Sequence, residues 1–251
     1  MPFSENPPKD QLSSLLEHYQ SGRFSDAEKL SVQITQDFPK HQFAWKVLGA
    51  VLVATDRNSE AVVANQTAVA LSPQDAEAHS NLGNTLQKLG RSDEAEASYT
   101  KAITLKPDFA EAHLNLGVTL KEMGKLVEAE ASYAKVIALK PDFVEAHNNL
   151  GNTLQEQERI EDALAAFNQA IALRPDYAEA HNNMGKALKG LGRLHEALAS
   201  YGQAIVLKPD YAQAHSNLGF THQEQGRFYE AKASYTRAIA LKPDYAEAHR
   251  M

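Results

Sequence analysis

Five asparagines, Asn81, Asn115, Asn149, Asn183 and Asn217, stand 34 residues apart in this chain. A carboxamide carries an N–H donor and a carbonyl acceptor together, so it can pair with both polar groups of a peptide backbone. If the chain between them folds into packed helices, neighbouring asparagines are separated by a little more than the roughly 8–10 Å of a helix contact. An extended peptide advances about 3.3 Å per residue, so every third residue would meet one amide. A row of this kind would hold a main chain with little demand on its side chains. The same amides could instead bond between helices of their own array, and a duplicated repeat would look the same.

Other chemistry is poorly supported. His79, His113, His147, His181, His215 and His249 keep the same interval, but zinc needs its ligands about 2 Å away, which residues one repeat apart cannot supply. They fit better as packing residues between helices, with a mild pH response as the residual idea. With no cysteine, disulfides and thiolate metal sites are excluded. No nucleophile, base and orienting group come together beyond what the repeat explains, so neither an enzyme nor a bound cofactor is expected. The net charge of −7 argues against nonspecific nucleic-acid or anionic-membrane binding. No run approaches the roughly 18 apolar residues of a membrane span. The start, Met1-Pro2-Phe3-Ser4-Glu5, has neither the basic nor the apolar region of a secretory signal. A cytoplasmic protein is the simplest expectation.

The elements that would carry these side chains are written into the period. Pro39, Pro73, Pro107, Pro141, Pro175, Pro209 and Pro243 are also 34 residues apart, the period of a two-helix repeat. In residues 76–109, Ala78, Leu82 and Leu86 and then Ala95, Tyr99, Ala102, Ile103 and Leu105 recur at helical spacing. Gly90, Gly124, Gly192 and Gly226 supply the left-handed residue that ends a first helix. Glu158 takes that place once, so its turn should be strained or differently shaped. Lys106-Pro107-Asp108 and its copies end the second helix, with a basic residue at the dipole's negative end and a proline beyond. Asp108 with Glu111, repeated as Asp142/Glu145, Asp176/Glu179 and Asp244/Glu247, resembles a capping box.

The pattern resembles the tetratricopeptide repeat (TPR), which alternates an A and a B helix. Its small residue beside a leucine or methionine appears as Leu82-Gly83, Leu116-Gly117, Leu150-Gly151, Met184-Gly185 and Leu218-Gly219. Its helix B residues appear as Ala95 and Tyr99, Ala129 and Tyr133, Ala163 and Phe167, Ala197 and Tyr201, and Ala231 and Tyr235. Residues 42–75 match through Trp45, Leu48, Gly49, Ala61, Ala68 and Pro73, but Asn65 takes the aromatic slot. The resemblance implies an all-α, right-handed α-solenoid of stacked helix-turn-helix repeats. It divides the chain into a tail and divergent capping repeat (1–41), six repeats (42–75, 76–109, 110–143, 144–177, 178–211 and 212–245) and the start of a truncated further repeat (246–251).

TPR arrays resemble one another in lining a concave face with helix A, which would place the asparagine row there. Phrases such as His-Asn-Asn-Leu-Gly-Asn at 147–152 make the row similar to the ladder in the TPR region of protein O-GlcNAc transferases. The more variable rows are Asn84, Val118, Asn152, Lys186 and Phe220, and Gln87, Lys121, Gln155, Lys189 and Gln223. Of these, Asn84, Asn152, Lys121, Lys186, Lys189 and Phe220 are expected to add side-chain discrimination. Glu77, Glu111, Glu145 and Glu179 read as helix caps. The carboxylate clamp of chaperone-binding TPR proteins is not reproduced: Lys46 fits one slot, but Ala50, Glu111 and Asn115 replace its other polar and basic groups. The expectation is a noncatalytic scaffold binding an extended peptide or partner segment. The alternatives are the substrate-recognition arm of an O-GlcNAc-transferase-like enzyme and a self-assembling array. Tyr235, Ile239 and Leu241 would leave apolar surface for end-to-end association at the C-terminal repeat.

Overall fold

The computed structural model describes residues 6–243, and the expected start of a further repeat at 246–251 lies outside them. Among the described residues there are fourteen α-helices and no strand. They fall into two compact units, Met1–Lys125 and Leu126–Met251. The first holds α1 (Lys9–Gln20), α2 (Phe24–Asp37), α3 (Gln42–Ala54), α4 (Asn58–Leu71), α5 (Ala76–Lys88), α6 (Ser92–Leu105) and α7 (Ala110–Glu122). The second holds α8 (Leu126–Leu139), α9 (Val144–Glu156), α10 (Ile160–Leu173), α11 (Ala178–Gly190), α12 (Leu194–Leu207), α13 (Ala212–Glu224) and α14 (Phe228–Leu241).

Each first helix stops at a turn with left-handed backbone. At Gly90, φ is 71°, the Gly90 N–H donates to the Gln87 carbonyl at 2.9 Å and the Arg91 N–H to the Leu86 carbonyl at 3.0 Å. This crossed pair uses carbonyls that the helix end would otherwise leave open. At Glu158, with φ of 62°, the same pair forms: its N–H donates to the Gln155 carbonyl at 3.1 Å and the Arg159 N–H to the Leu154 carbonyl at 2.9 Å. Of the two expectations for this turn, the shape is unchanged and the strain is carried by a side-chain-bearing residue. Asp56 does likewise at φ 60°.

The small residue of helix A is where helix B crosses. A Cβ on Gly83 would stand 2.7 Å from the Tyr99 ring, and on Gly151 or Gly185 2.6 Å from Phe167 or Tyr201. The aromatic therefore occupies the space a larger residue would need, and Tyr99, Phe167 and Tyr201 are fully buried. In the second unit they join one apolar cluster, with Leu154, Leu164 and Leu188 alongside Phe167 and Tyr201. Burying such a ring is worth about 1.5–3 kcal/mol, a large contribution to the hairpins that carry one.

The junctions differ from expectation. Asp75 caps, accepting from the N–H groups of Glu77 and Ala78 at the start of α5. Asp108, Asp142 and Asp176 sit one residue too early, because Phe109, Phe143 and Tyr177 hold the capping position of α7, α9 and α11 and cannot accept a bond. The aromatics do different work: Lys106 and Arg174 lie 5.0 Å above the Phe109 and Tyr177 rings, a favourable cation–π contact. The Asp244/Glu247 pair lies outside the described residues. The histidines tie these junctions down. Nε2 of His79, His147 and His181 donates to the carbonyls of Pro73, Pro141 and Pro175 at 3.0, 2.8 and 3.0 Å. A carbonyl only accepts, so Nε2 carries the proton.

Candidate functional site

The asparagine rows lie on the A helices, Asn81 and Asn115 in the first unit and Asn149, Asn183 and Asn217 in the second. All five are half-buried, and three are partly engaged within their own unit. Asn183 Nδ2 donates to Asn148 Oδ1 at 3.0 Å, and Asn217 Nδ2 to Asn182 Oδ1 at 2.9 Å. The partners come from the preceding A helix and are buried. Asn115 would find Ser80 at the corresponding place, which is too short. Its amide turns instead to Asn84 Oδ1 at 2.8 Å. Both sequence alternatives are therefore partly realised: one N–H of each tied amide serves the array, while the second N–H and the carbonyl are left. Asn81 and Asn149 make no side-chain hydrogen bond within their units.

The variable rows are less uniform in use. Asn84 Oδ1 accepts from the Tyr99 hydroxyl at 2.7 Å as well as from Asn115, so its carbonyl is structural and its NH2 is what remains. The Tyr99 hydroxyl also reaches Gln87 Oε1 at 3.1 Å. Burial, with the Glu122 charge nearby, holds this phenol protonated well above the ordinary tyrosine range. Asn152 and Lys121 are half-buried and Lys186 is exposed. Lys189 Nζ lies 3.9 Å from the Phe220 ring centroid, and Phe220 is 45 % exposed. These two side chains form one cation–aromatic patch across α11 and α13.

Two members of the glutamate row make ion pairs within their own repeats. Glu145 pairs with Arg174 at 2.7 Å and Glu179 with Lys208 at 3.1 Å. Each carboxylate thus bridges to the basic residue at the far end of its own repeat. Lys46 is held by Asp75 at 3.0 Å and Glu77 at 2.9 Å. Burial opposes its charge, but hydrogen bonds and the charges of Glu77 and Asp75 outweigh that and raise its pKa. It is not available as a free cation for a carboxylate clamp.

Two features escaped the sequence reading. On the A-helix face of the first unit, a hollow of about 170 Å3 opens among Tyr19, Ala50, Val53, Asn65, Asn81, Asn84 and Thr85. Its signal was Asn65 standing in the aromatic slot. On the B-helix side of the second unit, a wider depression of about 540 Å3 lies between α10 and α12, floored by Leu164, Met184 and Leu188. None of the expected site residues lines it. Its signal was the small residues Ala165 and Ala199 on the outer faces of those helices. Among the described residues, no cluster of histidine and carboxylate side chains could hold a metal ion, and no helix is long and apolar enough to cross a membrane.

Comparison with known proteins places this geometry. A family model described as "TPR repeat" matches residues 49–90, 119–158, 151–192 and 191–226. A second, "Tetratricopeptide repeat", matches 76–109 and 212–245. No curated protein matches the sequence. Among solved structures, a tetratricopeptide repeat protein from Parabacteroides merdae superposes with a TM-score of 0.77 at 14 % identity, over 96 % of this chain and 95 % of that one. Cut9, in the Cut9–Hcn1 assembly of APC/C, or its partner there gives 0.75 at 20 % identity over 94 % of this chain but 46 % of that one, so this chain spans less than half its length. YrrB, described as a TPR protein with an unusual peptide-binding site, gives 0.58 at 25 % identity over 74 % and 95 %. The first two likenesses speak to the fold, which is an all-α solenoid. By the matched repeats, the chain belongs to the tetratricopeptide repeat family.

Proposed function

We propose that this chain is a noncatalytic scaffold that holds an extended segment of another protein on its A-helix faces. The observation that carries the reading is the half-tied asparagine. In Asn183 and Asn217 one N–H is fixed on the preceding helix, which orients the carboxamide and leaves a carbonyl and a second N–H for a guest. An amide held in place loses little freedom on binding, so its hydrogen bonds are made at lower entropic cost. Asn149 continues the row in that unit, and Asn81 with Asn115 forms a shorter one in the other. Lys186, Lys189, Phe220, Asn84, Asn152 and Lys121 supply contacts that differ from repeat to repeat, as side-chain selection requires. The likeness to YrrB supports a peptide as the ligand class. The recognition arm of an O-GlcNAc-transferase-like enzyme would use the same face.

The test starts from peptides selected on the wild-type chain from a random display library. Changing Asn149 and Asn183 to Ala removes hydrogen bonds worth about 0.5–1.5 kcal/mol each, so affinity should fall roughly five- to hundredfold by calorimetry. Asn148→Ala serves as the control that cuts the tie to Asn183 and keeps the row. Unchanged affinity in the double variant, with its fold verified by circular dichroism, would remove the reading.

A further inference from the structure

In the repeat 76–109, the Tyr99 ring lies over Gly83 and its hydroxyl ends between Asn84 and Gln87. One repeat earlier the corresponding residues are Asn65, Gly49, Ala50 and Val53. Asn65 covers Gly49, since a Cβ there would run into its carboxamide. It reaches no further along the helix than that. Its Nδ2 turns sideways to Thr85 Oγ1 at 2.8 Å, and its buried Oδ1 has no hydrogen-bond partner. The space that a phenol would fill is left open, and the hollow of about 170 Å3 is found against Ala50, Val53 and Asn65. The residues that would receive a hydroxyl there are a methyl and an isopropyl group. Tyr19 closes one side, and the side chain of Asn81, which makes no hydrogen bond, stands at the other.

We propose that this hollow is an anchor pocket for an aromatic side chain of the bound segment. The inference rests on the peptide-holding reading above and names one residue class of the ligand. The hollow stands where the repeat 76–109 places its own Tyr99 ring. The volume is sufficient, since benzene fits a closed cavity of about 150 Å3; here the hollow is open, and Asn65, Asn81, Asn84 and Thr85 give it a polar side opposite Ala50 and Val53. The lining suits a ring: Ala50 and Val53 offer apolar contact, and Tyr19 offers an aromatic edge or face. Asn81 belongs both to the pocket and to the amide row. A segment whose ring enters here has its main chain beside the first carboxamide of that row. The Asn81 amide has donor and acceptor to spare, so a tyrosine hydroxyl can be accommodated as well as a phenylalanine ring.

The experiment uses the side chains alone. p-Cresol and toluene are titrated into the full-length protein and followed by NMR at the Asn65 and Asn81 side-chain amides and the Thr85 methyl. Saturable shifts centred on these groups are expected, weak but at least tenfold tighter than in two variants. Asn65→Tyr restores the ring from within, and Ala50→Leu fills the same space from the opposite wall. The second variant stands if the first does not fold. Absent or unsaturable shifts, or equal affinity in a folded variant, would overturn the proposal. The probes need no peptide bonds, so their result is independent of the Asn149 and Asn183 test. Probe binding with peptide affinity unchanged in that double variant would support the pocket and reject the amide row. No probe binding with peptide affinity reduced would reject the pocket and keep the row.

Discussion

The repeats 42–75 and 76–109 pack side by side in one unit and share their leucine, glycine and alanine core positions, yet they differ at the aromatic slot, the turn and the junction. The later repeat has Tyr99 bonded to Asn84 and Gln87, Gly90 at its turn and Phe109 at the start of the following helix. The earlier one has Asn65 opposite Ala50 and Val53, Asp56 at its turn and Asp75 at the start of the following helix. The helices run over matching lengths in both. Backbone architecture is therefore insensitive to these exchanges. What changes is where polar groups find partners and whether space is left at the surface. A repeat array can change a binding surface one unit at a time because each unit depends mainly on its neighbours.

The most severe way to break the contrast is to convert the later repeat into the earlier one. Tyr99→Asn removes a fully buried ring and strands Asn84 and Gln87. A loss of about 3–5 kcal/mol is expected, as for other large-to-small changes in a core, and urea unfolding measures it. The same variant should gain a second saturable p-cresol site.

A smaller effect comes from the junctions. Asp75→Ala removes two accepted N–H bonds and one of the two carboxylates that hold Lys46, and should cost about 1–2 kcal/mol. Asp108→Ala should leave thermal stability unchanged, because Asp108 caps nothing. The pH dependence follows from the same residue. Burial works against the Asp75 charge, but hydrogen bonds from Lys46, Gln42 and the Ala78 N–H outweigh it and lower its pKa. A lowered carboxylate pKa adds stability that is complete above the usual aspartate range and is lost as pH falls through the folded value. Wild type and Asp75→Asn should therefore differ at neutral pH and converge in acid below pH of about 4.

The hydroxyls give a finer contrast. Tyr99→Phe deletes the one O–H donor, which Asn84 Oδ1 at 2.7 Å and Gln87 Oε1 at 3.1 Å share, and should cost about 1 kcal/mol. The Tyr201 hydroxyl is buried without a partner, because Lys186 and Lys189 stand where Asn84 and Gln87 do. Tyr201→Phe should be neutral or stabilising in the same thermal melt. Equal losses in the two variants would show that the Asn84 and Gln87 contacts contribute nothing.

Much of this was legible in advance where a rule acts through neighbours in sequence. Proline and glycine constrain their own backbone, so the helix ends could be read directly, and Gly83 and Tyr99 stood out as family positions, though their contact came only with the structure. Reading failed where one residue of register or a distant partner decides. Asp108 looked like a cap, but the aromatic after it takes the capping position. Glu145 looked like a cap, and its carboxylate does accept a first-turn N–H, but it also pairs with Arg174, 29 residues on. For Asn115 the choice between groove and array depended on the length of Ser80, a residue in another helix. The hollow was announced by Asn65, but its walls come from α1, α3 and α5 together.

The smallest expected effect concerns the turns. Asp56 and Gly90 hold the same left-handed conformation, with φ of 60° and 71°. A side chain in this region carries a steric cost that glycine lacks, on the order of 1 kcal/mol, reduced for aspartate, which tolerates it better than most residues. Glycine in turn loses more backbone freedom on folding. The two terms oppose, so Asp56→Gly should gain only a few tenths of a kcal/mol. Glu158, at φ 62°, lacks aspartate's short polar side chain, so Glu158→Gly should gain more, about 0.5–1 kcal/mol. If Asp56→Gly gained the more, Asp56 would be the more strained residue, and the hydrogen bond it accepts from Asn58 Nδ2 at 3.0 Å would not be relieving it. The order of the two gains in matched thermal melts therefore tests whether that exposed bond is what makes aspartate acceptable at this turn.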